Sequence, residues 1–87
     1  MKKIYKFLLP DGHCRSMDHL IPKNSKILKV DTQDDVGYVW ILLNPDAETV
    51  MTRLVSYGTG LGFLPEGDYI GTYQANGFVW HCWAEIE

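Results

Sequence analysis

Eighty-seven residues with 46% hydrophobic and 13% aromatic content describe one folded domain, too short for a second core and too apolar for a disordered chain. The formal charge of −3 is unevenly spread: residues 1–30 hold seven basic side chains against Asp11 and Asp18, and residues 31–87 hold Arg53 against nine carboxylates. That distribution excludes a long basic footprint for nucleic acid. No run approaches the roughly 20 apolar residues of a membrane-spanning helix. The two-toned balance reads first as attraction between parts of the fold, and second as steering of a charged partner.

The opening MKKIYKFLLP begins like a secretory leader, but Lys6 interrupts the apolar run, Pro10 ends it and no small-residue cleavage site follows. The expectation is a cytoplasmic chain in which Cys14 and Cys82 stay reduced. Lys3 to Leu9 suits a first strand, stopped by the turn residues Pro10-Asp11-Gly12. His13 to Ser25 has no clean period, and Pro22 and Asn24 punctuate it. It reads as a loop anchored near Leu20 and Ile21, with room for a single helical turn.

Lys26 to Gln33 and Tyr38 to Leu43 read as the second and third strands around Asp34-Asp35-Val36-Gly37. A four-residue loop pairs Thr32 with Val39, Val30 with Ile41 and Leu28 with Leu43, one apolar face as a core requires. The reverse face sets Tyr38, Trp40 and Leu42 against Gln33, Asp31 and Lys29, so the third strand is apolar on both sides. The ordinary explanation, placed first, is a loop or partner sheet over that second face. The functional one is an exposed aromatic patch marking an interface. After the turn at Asn44-Pro45-Asp46, Thr49 to Tyr57 favours a fourth strand by its Val and Thr content, with a helix capped by Asp46 as the alternative. The glycine-rich segment 58–67 then leads into DYIGTYQANGFVWHCWAEIE.

That last stretch carries the clearest signal. Asn76-Gly77 between alternating apolar residues predicts a two-residue hairpin turn. It pairs Ala75 with Phe78, Gln74 with Val79, Tyr73 with Trp80, Thr72 with His81, Gly71 with Cys82, Ile70 with Trp83 and Tyr69 with Ala84. About six antiparallel strands and short connections predict an all-β domain, a small sandwich or partly open barrel.

Chemistry-bearing groups are sparse. Gly58-Thr59-Gly60-Leu61-Gly62 permits anion contact through converging backbone N–H groups, yet lacks a phosphate-binding fingerprint and reads as a turn. His13, Cys14, Asp18 and His19 invite zinc, but no C-x-x-C or H-x-x-x-H spacing supports it, and His81 and Cys82 point to opposite faces of a strand. No metal, cofactor or catalytic residue is implied, and the expectation is that the protein is not an enzyme. Cys82 reads as a buried thiol. What remains is a surplus of aromatic residues for so small a domain, which points to binding.

Several pieces occur in one order: KKIYKFLLP, IPKNSKILKV, VWILLNPDAET, YGTG and YIGTYQANGFVWHCWAEIE. Together the chain resembles an uncharacterised family of short phage and prophage proteins, with Pro22, Lys26-Ile27-Leu28, Trp40, Pro45, Tyr57-Gly58-Thr59-Gly60, Tyr69-Ile70-Gly71-Thr72, Gln74 and His81 at matching positions. It departs where Leu61 replaces the His that follows YGTG, and where Cys82-Trp83 replaces a Val-Phe pair. The resemblance implies a phage-type accessory protein in the bacterial cytoplasm and supplies no activity. The expected function is therefore non-catalytic binding of a host protein, counter-defence included, or self-association as a homodimer, without nucleic acid or membrane. The alternative is a binder that sequesters a small anionic, nucleotide-like ligand. A small enzyme comes last. The residues expected to carry recognition are Tyr38, Trp40, Arg53, Tyr57, Gly58, Thr59, Gly60, His81 and Trp83.

Overall fold

A computed structural model describes residues 1–86. Seven strands run in chain order: β1 (Lys3–Leu8), β2 (Arg15–Pro22), β3 (Lys26–Gln33), β4 (Val36–Leu43), β5 (Thr49–Gly58), β6 (Asp68–Ala75) and β7 (Phe78–Ile86). They form two antiparallel sheets, β1-β4-β3 and β2-β5-β7-β6, which face each other as a sandwich and do not close into a barrel. The interior is an apolar cluster of Leu9, Val39, Ile41 and Leu43 from the first sheet's side and Ile21, Leu54, Tyr73, Ala75, Cys82 and Ala84 from the second. Inward residues alternate with outward ones along β4, as a sheet covered on one face requires.

The predicted all-β class holds, with one strand more than expected. Segment 13–25 contains β2 rather than a loop or helical turn. Its period is obscured because β2 is an edge strand paired only with β5, where polar residues and a terminal proline are tolerated. The inward positions Met17, His19 and Ile21 mix an imidazole with the apolar pair, and His19 is held there by Nε2 against the Leu8 carbonyl oxygen at 2.9 Å. Segment 49–58 is strand, not helix, and the Asn44 turn is closed by the Ala47 N–H donating to the Asn44 carbonyl at 3.1 Å.

Two register expectations are corrected by the chain's own irregularities. The loop between β3 and β4 is only Asp34-Asp35, both at positive φ (52° and 65°), so Gln33 pairs with Val36 and Val30 with Val39. This is a two-residue slip from the predicted pairing; because the side-chain period is two, the faces from Lys29 to Gln33 stay as expected, whereas Leu28, expected on the core face opposite Leu43, is exposed. A bulge at Leu28 then brings Ile27 opposite Ile41. In the C-terminal hairpin, Asn76 and Gly77 (φ 54° and 82°) make the predicted turn, and the pairs from Ala75–Phe78 to Gly71–Cys82 follow. Beyond Gly71 a bulge at Ile70 pairs Tyr69 with Trp83 instead of Ala84. Tyr69 thereby leaves the core face, and Ile70 packs against the core instead. Gly71 allows this with φ 152° and with no side chain to strike Val30 of the opposite sheet, whose Cβ lies 2.6 Å from where a Gly71 Cβ would stand. Glu87, expected at the end of this strand, lies outside the described residues.

The second face of β4 is not covered. Tyr38, Trp40 and Leu42 are half-buried by their neighbours in the sheet, while Ile4, Lys6, Leu8, Lys29 and Val36 on that side are exposed. Among the described residues no third layer lies over it.

Candidate functional site

The outer face of the four-stranded sheet and the turn that follows β5 gather Arg53, Tyr57, Thr59, Gly60, His81 and Trp83, six of the nine expected recognition residues; Gly58 pairs with the core-packed Trp80 and belongs to the inward side. Alternation explains the convergence: Arg53, Val55 and Tyr57 of β5 point outward and pair with Glu85, Trp83 and His81 of β7. Tyr38 and Trp40 are not part of this group. They lie on the outer face of the other sheet, across the sandwich.

The segment after β5 folds back over this face. Phe63 stacks on Tyr57 with ring centroids 3.9 Å apart and meets Trp83 edge-on at 5.4 Å, and Trp83 meets Tyr57 at 5.5 Å and Tyr69 at 5.1 Å. Edge-to-face and offset pairs at such distances are favourable beyond their burial. Tyr57 is consequently buried, Trp83 and His81 half-buried, and Arg53, Thr59 and Gly60 exposed, while Gly58 is buried against Leu61 and Trp80. Burial raises the Tyr57 hydroxyl above its ordinary value, with Cys14, Glu85 and Glu66 adding to the effect.

Two histidines fasten the loop. The Gly58 N–H donates to His13 Nδ1 at 3.1 Å, so the ring proton is on Nε2 and faces the Gly62 carbonyl at 3.2 Å. His81 bridges Thr59 Oγ1 through Nε2 at 2.7 Å and Thr72 Oγ1 through Nδ1 at 3.1 Å, and Tyr69 Oη reaches the same Thr72 oxygen at 2.5 Å. The glycine run is therefore a tethered turn, as its sequence reads, closed by the Leu61 N–H on the Gly58 carbonyl at 3.4 Å. Neither His13 nor His81 is hydrogen-bonded to a carboxylate or thiol among the described residues. Arg53 donates from Nε to Asp18 Oδ1 at 3.3 Å, beside a shallow cavity of about 320 Å³ that reaches Cys14, Phe63 and Glu85.

The contributions of His13, Phe63 and Tyr69 are not visible in the sequence. The first two depend on loop closure across 45 or more residues for His13 and on a loop path without a period for Phe63. Tyr69 depends on the bulge at Ile70, whereas Thr72 opposite His81 follows from the predicted hairpin. Among the described residues no group of three or more His, Cys, Asp or Glu is placed to hold a metal ion. No helix is long and apolar enough to cross a membrane.

Fold and site together define a small open β-sandwich with an aromatic face overlaid by its own loop. The chain belongs to the family described as Domain of unknown function (DUF7352), whose model matches residues 1–87. No curated protein and no solved structure matches it.

Proposed function

We propose that this chain is a non-catalytic binding protein that engages a partner protein through the outer face of its four-stranded sheet and the segment that overlies it. The observation that carries this reading is apolar exposure beside a rigid aromatic cluster: Leu64 is 88% exposed and Tyr69 55%, both next to the interlocked rings of Tyr57, Phe63 and Trp83, and Leu61 of the same segment is 54% exposed. Rigid rings flanked by exposed apolar side chains supply contact area at low entropic cost, the composition of interface hot spots. The motif resemblance favours a phage-type protein acting on a bacterial host factor in the cytoplasm, with defence components the first to test. Self-association through the same face is the competing occupant.

A nucleotide-like ligand is the second reading, supported by the convergence of the glycine turn, Trp83, His81 and Arg53. It is weaker because Phe63 already occupies the ring face of Tyr57 that a base would take.

The test uses the tagged chain against a host lysate, with native mass spectrometry of the purified protein alongside. Expected is a partner retained by wild type, lost with Leu64→Asp or Leu61→Asp, and kept by Lys29→Gln on the opposite sheet. A partner indifferent to both leucine variants overturns the assignment of this face. Stabilisation by a nucleotide panel in a thermal-shift assay would promote the second reading.

A further inference from the structure

The lysines that are scattered along the first thirty residues converge on the outer face of the three-stranded sheet. Lys6 of β1 and Lys29 of β3 both pair with Trp40 of β4, which places a lysine on each side of Trp40 in one cross-strand row. One step further, Lys26 pairs with Leu42, and two positions the other way Tyr38 pairs with Leu8 and Asp31. Tyr38 and Trp40 are neighbours on this face, with centroids 6.1 Å apart at 63°. Both rings are half-buried and the three lysines exposed.

The electrostatics of the face are already partly visible. Lys6 Nζ is 4.3 Å from the centroid of the Tyr38 ring while donating to Gln33 Oε1 at 2.6 Å, so that ring already carries a cation on its face and the ammonium is held at the surface beside Trp40's neighbour. Lys29 pairs with Asp31 at 2.9 Å, holding that carboxyl below its ordinary value. Three lysines against one aspartate leave a positive surface on a chain of net charge −3. The whole-chain balance argues against a long basic footprint; a short one needs only this local row.

We infer that this face is a stacking platform for a short single-stranded nucleic acid, with a base on Trp40 and the phosphates tracked by Lys6, Lys29 and Lys26. Single-strand platforms combine a positive surface with rings that accept any base face. A protein partner is the poorer fit, because interface cores are depleted in lysine and here lysines flank the central ring on both sides. The face is three strands wide, about 10 Å between its outer strands, so the footprint is about four nucleotides, at the low end for such platforms. Neutralising about three phosphates sets the salt dependence: the logarithm of the association constant falls by about 2 for each tenfold rise in salt. This face is separate from the one assigned to a protein partner, so either assignment can fail alone.

Fluorescence anisotropy of labelled mixed-sequence RNA and DNA octamers with the intact protein, over about 20–200 mM salt, tests it. Expected is binding with a slope near −2. Lys29→Gln lowers the slope by about 0.7 without touching the core, and Trp40→Leu weakens binding about tenfold. Gln74→Ala, exposed on β6 of the opposite sheet, changes neither. A preference between the RNA and DNA arms identifies the sugar recognised and supports the proposal. Absence of binding at the lowest salt overturns it, as does an unchanged affinity in folded Trp40→Leu. Equal or tighter binding of inorganic polyphosphate or poly-glutamate also overturns it, because neither carries a base to stack.

Discussion

Two hairpins meet across the sandwich, β3–β4 and β6–β7, and they reach the same shape by different local chemistry. Each has a two-residue turn with positive φ at both positions and one bulge partway along. The C-terminal hairpin uses Asn76-Gly77, the pair suited to that geometry; the other uses Asp34-Asp35, which carry Cβ atoms into a region costing roughly 1–2 kcal/mol for most residues. The two turns then touch, with the Asn76 N–H donating to Asp35 Oδ1 at 3.1 Å. Further in, the Tyr73 ring lies where a Gly37 Cβ would clash at 2.4 Å, and Tyr73 Oη donates to the Pro10 carbonyl at 2.6 Å. The comparison teaches that the weaker turn is held by the stronger hairpin. Local preference sets one, and contact with it sets the other.

The sharpest way to break that relation is at the bulge. Gly71→Val puts a branched side chain at φ 152° and within 2.6 Å of Val30. The expected loss is about 3–5 kcal/mol, combining backbone strain and overpacking, read by urea denaturation. A loss under about 1 kcal/mol would mean the two hairpins do not press together there.

Alkaline titration comes next. Burial pushes the Cys82 thiol up from 9.0 to about 12, and raises the Tyr73 phenol, with Cys82 and Asp11 contributing. The folded Cys82 thiol holds its proton more tightly than the unfolded one, so its stabilisation is complete below about pH 9 and is lost as pH rises through about 12; the raised Tyr73 phenol adds a loss of the same sign that begins at higher pH. For Cys82 this is on the order of 4 kcal/mol. In Cys82→Ala the decline should begin about one pH unit later, where the unfolded phenol starts to ionise. An unchanged onset would assign the alkaline loss to another group.

The turns themselves give smaller and opposite effects. Gly77 has φ 82° with open space around its missing Cβ, so Gly77→Val should cost about 1–3 kcal/mol from backbone strain alone. Asp34→Gly should instead gain about 0.5 kcal/mol, because relief of positive φ outweighs the added freedom of the unfolded chain. Thermal denaturation of both variants checks the pair. Equal signs would show that the two turns are not the contrasting cases described.

How much of this was readable beforehand follows the same division. The C-terminal turn, its first five ladder pairs and the inward face of β4 were legible because Asn-Gly and a period of two are local signals. β2 was not, since an edge strand with His19 inward and Pro22 at its end carries no alternation. Six of the expected recognition residues come together because β5 and β7 are neighbours, yet Tyr57 among them is buried under Phe63 and Gly58 turns to Trp80 instead. Tyr38 and Trp40 occupy the other sheet, where the lysines of β1 and β3 surround them.

The amino-acid order by itself determined that this chain is all-β, where its last hairpin turns and which side of each confident strand is apolar, because those depend on neighbours two or three residues away. Only the tertiary structure decided the bulge that turns Tyr69 outward, the folding of 59–67 over Trp83 and the gathering of lysines around Trp40. These depend on which strands become neighbours in each sheet and on how Val30 meets Gly71 between them, contacts made by residues far apart in the chain.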